Sequence, residues 1–287
     1  DGNDGLLPAG NVTVKQSKVF QNPGTSANET LESATTTKTI TKETEKPVIS
    51  YTIEVKNAQG TWTTVSKKTI IQGKPAGYEI FAGDDYRVVA TSKDNSGKIN
   101  KFEVSDNRSP QTNFIDSNYA SGGTINSIGT TTVATDASPA KIEITGKYND
   151  TRTWSSSNFW TRKFISRDLS GNELESETFI VAQGKLSDKF PGAQPTNAIA
   201  VANPNALTND ERTKILDAVK TANPQVANRI SDYSIATDGT VTITYKDGTT
   251  NTVAPKVKYG VEKVADTFYA VSNETLANLT PASFVRA

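Results

Sequence analysis

Apolar and polar residues alternate in short runs along the first two-thirds of the chain. In the run 51–56, for example, Tyr51, Ile53 and Val55 alternate with polar residues. Turn-forming residues such as those of the run 94–97 separate one run from the next. A period of two indicates β-strands with one buried face, and short strands joined by such turns are typical of antiparallel sandwiches. The sequence therefore predicts a mainly β protein.

An internal repeat suggests how these strands are grouped. Residues 92–98 align with residues 166–172 at a constant offset of 74, and the same offset carries Tyr86 onto Trp160. Self-similarity at a fixed period indicates repeated structural units. We therefore expect two tandem β-sandwich modules, the first over residues 11–109 and the second over 110–183. Residues 1–10 are expected to be disordered or a linker.

The chemistry of the sequence changes after residue 183. Residues 184–198 show no period and are expected to be a linker. Thr208 and Glu211 have the spacing of a helix capping box, an apolar stripe from Ile215 to Ala222 follows, and Pro224 ends the helix. Two strands with Asp-Gly turns come next, so residues 199–255 are predicted to be a small α+β module. Residues 256–287 either complete this module or open a further one.

Composition excludes several classes of function. The 287 residues contain no His, Cys or Met, and 31 basic residues balance 31 acidic ones. Disulfides, zinc sites built on Cys or His, and Ser-His or Cys-His nucleophile pairs are therefore excluded. Zero formal charge argues against a nucleic-acid surface, and no apolar run is long enough to span a membrane. We expect a protein that is not an enzyme.

Two longer stretches resemble a known family. The runs 203–224 and 238–248 resemble repeat modules of giant Gram-positive cell-wall proteins, most closely the staphylococcal proteins that bind extracellular matrix. The turns at 94–97 and 168–172 look like those of fibronectin-III or cadherin-like sandwiches. The resemblance implies an extracellular virulence adhesin that binds host matrix such as fibronectin, with its peptidoglycan attachment outside this segment. It also implies a monomeric rod cut from a longer chain.

Two groups of residues are candidates for binding sites. Asp94, Asp106 and Asp168 lie in turns and have the oxygen ligands that calcium prefers, although aspartates also form turns without any metal. No other cofactor is expected. Trp154 and Trp160 flank a serine-rich bend, where they either stack against a glycan or fill the sandwich core. A matrix-binding stalk is thus one hypothesis, and a carbohydrate-binding, lectin-like module is the alternative.

Overall fold

The computed structural model describes residues 10–260, 262–263, 278, 280 and 285–286. Its first part consists of two short two-stranded sheets, which together we call the ribbon. The strands of the ribbon are β1 (Gly10–Val14), β2 (Ser17–Gln21), β3 (Asn28–Glu32) and β4 (Thr36–Ile40). β1 pairs with β4 and β2 pairs with β3, both antiparallel. Almost every side chain of the ribbon is exposed.

A β-sandwich follows the ribbon. Its strands are β5 (Val48–Lys56), β6 (Trp62–Thr64), β7 (Gly77–Ile80), β8 (Asp85–Lys93), β9 (Lys98–Ser105), β10 (Ala120–Gly122), β11 (Thr132–Val133), β12 (Ala140–Tyr148), β13 (Phe159–Asp168), β14 (Glu173–Glu175) and β15 (Phe179–Gln183). One sheet has the order β10-β12-β8-β5-β6, and the other has the order β11-β9-β13-β15-β7, with β14 also paired to β13. β15 and β7 are parallel neighbours, whereas the other pairs are antiparallel.

The alternation seen in the sequence becomes the core of this sandwich. Tyr86, Val88 and Ala90 of β8 are fully buried, as is Ile144 of β12. Several aromatic side chains from both sheets meet between them, including Tyr51, Phe102, Phe164 and Phe179. Burial of these large side chains provides the main driving force for closing the two sheets.

The two predicted modules are parts of one sandwich. β8 pairs with β12 across eight residues, and β9 pairs with β13, so both sheets contain strands from either side of residue 109. Separate folding of residues 11–109 would leave β7 and β9 without their neighbours β15 and β13. Unpaired strand edges are unfavourable, which explains why the chain closes one sandwich where two tandem ones were expected.

The ribbon also differs from the expectation. The first predicted sandwich began at residue 11, but the strands β1 to β4 form the separate ribbon. Their apolar residues, among them Val14, Val19 and Leu31, stay exposed. The alternation alone could not distinguish these strands from core strands, because it reports a strand and not its partner.

A smaller α+β unit completes the described fold. It contains α1 (Leu186–Lys189), β16 (Ile199–Val201), α2 (Asn209–Ala222), a 3-10 helix (Pro224–Arg229), β17 (Ile230–Ile235), β18 (Val241–Tyr245), β19 (Thr250–Val253) and β20 (Val257–Tyr259). β17, β18 and β19 form an antiparallel sheet, and β16 pairs in parallel with β20. Ile215 and Val219 of α2 are fully buried together with Val241 and Ile243 of β18. The predicted helix on a small sheet is therefore present.

The end of the chain is described only in part. A short antiparallel pair joins β21 (Glu262–Lys263) to β22 (Val285–Arg286). β20 supplies a strand to the α+β unit through its pairing with β16. The sequence also suggests a strand at 268–271 and the cap of a short helix at 272–274, and both stretches lie outside the described residues. None of the helices in the described ranges is both long and apolar enough to cross a membrane.

The capping box predicted from the sequence is confirmed. The Glu211 amide donates to Thr208 Oγ1 at 3.2 Å, and the Thr208 amide donates to Glu211 Oε2 at 2.9 Å. Glu211 also accepts a hydrogen bond from the Ala202 amide at 2.7 Å. These backbone donors lower the pKa of the Glu211 carboxyl. Two otherwise unpaired amides at the helix start are thereby satisfied.

Replacement of Thr208 by alanine should cost about 1 kcal/mol in free energy of unfolding, because the helix then loses its N-cap acceptor. Chemical denaturation of the whole chain measures this difference. Thr221→Ala is the matched control, since Thr221 is exposed in the last turn of the same helix. An equal loss in both variants would show that the cap makes no special contribution.

The connection between the sandwich and the α+β unit is packed. The Leu186 amide donates to Asp247 Oδ2 at 2.8 Å, and the Ala193 amide donates to Asn223 Oδ1 at 2.8 Å. Both acceptors belong to the α+β unit and are buried. The stretch 184–198, predicted to be a linker, includes α1 and forms hydrogen bonds to the unit that follows.

Candidate functional site

A buried arginine is the most unusual side chain of the sandwich. Arg162 lies on β13 and is only 4% exposed. Its Nε donates to the Phe114 carbonyl at 2.9 Å, Nη1 donates to the Thr161 carbonyl at 2.8 Å, and Nη2 donates to the Asn113 carbonyl at 3.4 Å. The guanidinium is therefore fixed by backbone carbonyls beneath the loop that contains Asn113 and Phe114.

No carboxylate is paired with Arg162 in the part of the chain that the structure describes. Burial lowers the pKa of its guanidinium to about 10, and the charges of Asp106 and Asp116 offset only part of that effect. The group still carries its full charge at neutral pH. A guanidinium has five N–H donors, of which these bonds use three. A buried cation with spare donors and no counter-ion is suited to bind an anion.

Tyr86 adds a second polar group near Arg162. Its hydroxyl is buried and has no hydrogen-bond partner. Burial raises the pKa of the Tyr86 phenol, and the positive charge of Arg162 opposes the rise. The ring is accommodated by glycines, because a Cβ at Gly123 or Gly146 would lie within about 2.5 Å of the Tyr86 side chain. The hydroxyl can therefore serve as an additional donor or acceptor for a polar ligand.

An aromatic and cationic rim lies beside this polar pair. The Arg152 guanidinium stacks on Tyr119 at 3.8 Å from the ring centre. Tyr119 meets Trp160 edge to face at 5.0 Å, and Trp160 meets Tyr148 at 6.2 Å. Trp160 and Arg162 are two residues apart on β13 and so share one face of the strand. Tyr119 and Trp160 are half-buried, so an apolar ring face lies beside a cation, a combination that suits an amphipathic ligand.

The other predicted tryptophan lies at the junction with the α+β unit. Trp154 is half-buried, its indole N–H donates to the Gln183 carbonyl at 3.1 Å, and the Lys185 ammonium lies 4.4 Å from its ring centre. A shallow cavity of about 390 Å³ is lined by residues 151–155 and Asn158. No ring contact joins Trp154 to Trp160 among the described aromatic pairs. The single stacking platform of two tryptophans remains a prediction.

Two of the three predicted calcium ligands lie together. Glu43, Asp94 and Asp168 each have a carboxylate oxygen within 4.8 Å of the other two. We call these three residues the acidic cluster. Asp106 is not part of it, because its carboxylate caps its own turn by accepting the amides of Arg108 and Ser109, which lower its pKa. Glu43 was not predicted, since it lies 51 residues before Asp94 in a stretch without any motif.

Arg162 was also missed by the sequence analysis. It lies in phase with Trp160 and Phe164, which places a charged residue on the inward face of an otherwise apolar strand. Charged residues at inward positions are rare and need a specific reason. The position of Arg162 among the inward-facing residues of the alternating pattern is the signal in the sequence that points to it.

Comparison with known proteins finds sequence similarity to streptococcal proteins. Residues 192–259 match the family model of the atypical Rib domain. The streptococcal hemagglutinin of Streptococcus gordonii is 26% identical over 192 residues, which cover 63% of this chain and 9% of that protein. The platelet binding protein GspB of the same species is 35% identical over 85 residues, which cover 27% of this chain and 3% of GspB. The chain thus spans less than a tenth of the length of these relatives.

Solved structures show the same mainly β fold. The sialic acid binding region of a Streptococcus sanguinis adhesin, bound to 3'sLn, superimposes with a TM-score of 0.54 at 23% identity. That match covers 77% of this chain and 51% of the other. The SrpA adhesin of the same species gives a TM-score of 0.50 at 22% identity, covering 75% and 96%.

The chain is therefore related to surface adhesins of Gram-positive bacteria. The relatives are streptococcal, whereas the resemblance noted in the sequence pointed to staphylococcal proteins. In sequence, these relatives are a hemagglutinin and a platelet binding protein.

Proposed function

We propose that this chain is a segment of a bacterial cell-surface adhesin that binds sialylated host glycans, with Arg162 holding the sialic acid carboxylate. The observation that carries the proposal is the buried guanidinium of Arg162, which has spare donors and no carboxylate partner among the described residues. Sialic acid is a host sugar whose carboxylate is ionised at neutral pH. A bidentate bond between guanidinium and carboxylate is among the strongest that a protein offers to such a ligand.

The bonds of Arg162 indicate how a ligand would reach it. The bond from Nη2 to the Asn113 carbonyl is 3.4 Å long, the longest of the three, and so it is the easiest to exchange. Asn113 is only half-buried, and Asp116 and Asn118, farther along the loop, are exposed. A carboxylate arriving from this loop would replace a neutral carbonyl acceptor by a charged one. That exchange strengthens the bond and neutralises the desolvated cation.

The rim then contacts the rest of the glycan. Tyr119 and Arg152 are half-buried at the side of the site, where an apolar sugar face can pack on the ring and hydroxyls can accept from the guanidinium. The Tyr86 hydroxyl has no protein partner and is available to a ligand or a bridging water. These groups suit a short acidic oligosaccharide better than a flat protein surface.

The comparisons support this proposal over matrix binding. A solved structure that shares the fold is a sialic acid binding region, and a relative in sequence is a hemagglutinin. By the same likeness we propose an extracellular location on the bacterial surface. Attachment to peptidoglycan would then depend on parts of the parent protein outside this segment.

The proposal is tested with a matched pair of glycans. The protein is immobilised and titrated with 3'-sialyl-N-acetyllactosamine and with N-acetyllactosamine, which differ only in the sialic acid. Saturable binding of the first and none of the second is expected. Equal binding of both, or saturable binding of fibronectin with no binding of either glycan, would contradict the proposal.

The two tryptophans predicted as glycan contacts should behave differently. Trp154 already uses its indole N–H and has a lysine over its ring, so Trp154→Ala should change sialoglycan affinity by less than about twofold. Trp160 supports Tyr119, so Trp160→Ala should weaken affinity about fivefold, the equivalent of about 1 kcal/mol. The same titration measures both variants. A larger loss of affinity in Trp154→Ala than in Trp160→Ala would indicate that the glycan binds in the cavity beside Trp154.

A further inference from the structure

The acidic cluster is assembled from three separate parts of the chain. Asp94 and Asp168 lie in the two turns that the 74-residue repeat relates to each other. The sandwich brings these turns side by side, as shown by the hydroxyls of Ser92 and Ser166, which also differ by 74 and are hydrogen-bonded at 2.7 Å. Glu43 comes from the segment between the ribbon and β5. The repeat and the fold thus place two equivalent aspartates next to one glutamate.

The charges of this cluster are not balanced by the protein. None of its three carboxylates takes part in an ion pair found among residues 10–260. Asp94 is only 8% exposed and Asp168 only 1%. The Oδ2 atom of Asp94 accepts from the amide and hydroxyl of Ser96, but its Oδ1 atom is buried and has no hydrogen-bond partner. A buried carboxylate oxygen without a partner is costly, and native proteins satisfy such an oxygen with a water or a cation.

One neighbouring side chain, Asn172, indicates where a positive group would lie. The Asn172 amide nitrogen donates to Glu43 Oε2 at 2.6 Å and to Asp168 Oδ2 at 2.7 Å, and it also reaches the Glu43 carbonyl at 3.2 Å. It therefore points a partial positive charge at the oxygens of the cluster. The pKa of Glu43 is nevertheless raised, by burial first and then by the hydrogen bond and the charge of Asp168.

We propose that Glu43, Asp94 and Asp168 bind one calcium ion, which fastens the segment before β5 to the two repeated turns of the sandwich. The ligands are oxygens only, as hard cations prefer, and Asp94 Oδ1 is the ligand that lacks any other partner. A half-turn of the Asn172 amide would add its oxygen as a fourth ligand. Water would complete the six to eight oxygens that calcium takes.

Calcium is favoured over magnesium because it accepts flexible coordination. Oxygens on opposite sides of a calcium ion are about 4.6 to 5.2 Å apart, given bonds of about 2.3 to 2.6 Å. The three carboxylate oxygens of the cluster lie within 4.8 Å of one another. Magnesium requires bonds of about 2.0 to 2.1 Å in a near-ideal octahedron, which three independent chain segments with long side chains seldom provide.

Isothermal titration calorimetry of the whole chain, freed of metal with a chelating resin, tests the proposal. We expect one calcium ion per chain with a dissociation constant on the order of 10⁻⁴ to 10⁻³ M, the range of extracellular modules. Glu43→Gln should weaken binding at least tenfold, and Asp106→Asn, whose carboxylate lies outside the cluster, should leave it unchanged. Three outcomes would overturn the assignment. They are the absence of any heat of calcium binding up to 10 mM (about tenfold above that range), an equal loss of calcium affinity in both variants, and magnesium binding as tight as that of calcium.

Limited proteolysis gives a second readout that does not depend on affinity. Lys42 is exposed and directly precedes Glu43, so trypsin can cleave the bond between them. Calcium should slow this cleavage at least fivefold in the wild-type chain and in Asp106→Asn, but not in Glu43→Gln. An unchanged cleavage rate in the wild-type chain at 10 mM calcium, about ten times the weaker limit, would show that no ion ties this segment down. Neither result depends on glycan binding, so the calcium site and the proposed function can fail independently.

Discussion

Replacement of Arg162 by methionine is expected to abolish binding of sialylated glycans without unfolding the sandwich. Removal of one partner of a buried charge pair costs about 2 to 5 kcal/mol of binding free energy, which is a loss of about 30-fold or more. The free protein should stay folded, with a loss of stability because backbone carbonyls lose Arg162 as their donor. Its guanidinium is desolvated and has only carbonyl partners, and methionine fills a similar length of apolar space. Titration with 3'-sialyl-N-acetyllactosamine measures the affinity, and thermal unfolding measures the stability.

Arg167→Met is the matched control. Arg167 lies on the same strand but is exposed, and its Nε donates to the Asn100 side chain at 3.3 Å. The control variant should bind sialoglycan within about twofold of the wild-type chain, because a solvated side chain outside the site contributes little. If Arg162→Met keeps the wild-type affinity, Arg162 does not hold the carboxylate. If it binds weakly and also melts far below the control, the Arg162→Lys variant separates the loss of binding from the loss of stability. Lysine keeps the charge but loses the paired donors.

The fold illustrates which information a strand pattern contains. The alternation in β8 and β12 predicted strands with one buried face, and Val88 and Ile144 are indeed buried. The pattern does not say which strands pair, because that depends on contacts far apart in sequence. The offset of 74 was therefore interpreted as two modules in a row. In the structure the two related units, β8 with its turn and β13 with its turn, lie in opposite sheets of one sandwich.

The α+β unit was easier to predict because its signals are local. Thr208 and Glu211 are three residues apart, and the apolar stripe of the helix repeats within two turns, so each signal lies within a window of about 15 residues. The turns at Gly239 and Gly248 need a positive φ, which glycine adopts at little cost, and both adopt it. Such short-range rules do not depend on how the rest of the chain folds.

The candidate sites could be predicted from the sequence only in part. Asp94 and Asp168 could be proposed as ligands because acidic turns are visible in the sequence, but Glu43 is brought to them only by the tertiary fold. Arg162 is meaningful only once it is known that its side chain is buried without a carboxylate partner among the described residues. Tryptophan, in contrast, attracts attention in any sequence. The structure gives Trp160 a packing role beside Tyr119 and gives Trp154 a hydrogen bond to the Gln183 carbonyl.

The second large effect concerns the junction between the sandwich and the α+β unit. Arg229 Nη2 lies 2.8 Å from Asp84 Oδ1, and both side chains are largely buried, with 14% and 6% of their surfaces exposed. Arg229 also donates to the Ala82 carbonyl, and Asp84 also accepts the Phe81 amide at 2.9 Å. Arg229→Ala leaves the Asp84 carboxylate buried without its cation. We expect a loss of about 3 to 5 kcal/mol in free energy of unfolding.

A double-mutant cycle separates this effect from simple loss of packing. The double variant with Asp84→Ala and Arg229→Ala should be more stable than the sum of the two single losses predicts, because no unpaired charge remains. Lys93→Ala is the control, since its ion pair with Asp136 is exposed and should contribute less than about 1 kcal/mol. Urea denaturation followed by tryptophan fluorescence gives the four free energies. If Arg229→Ala costs no more than Lys93→Ala, the buried pair does not hold the two units together, and the junction depends on the Asp247 hydrogen bonds to Leu186 and Trp154 instead.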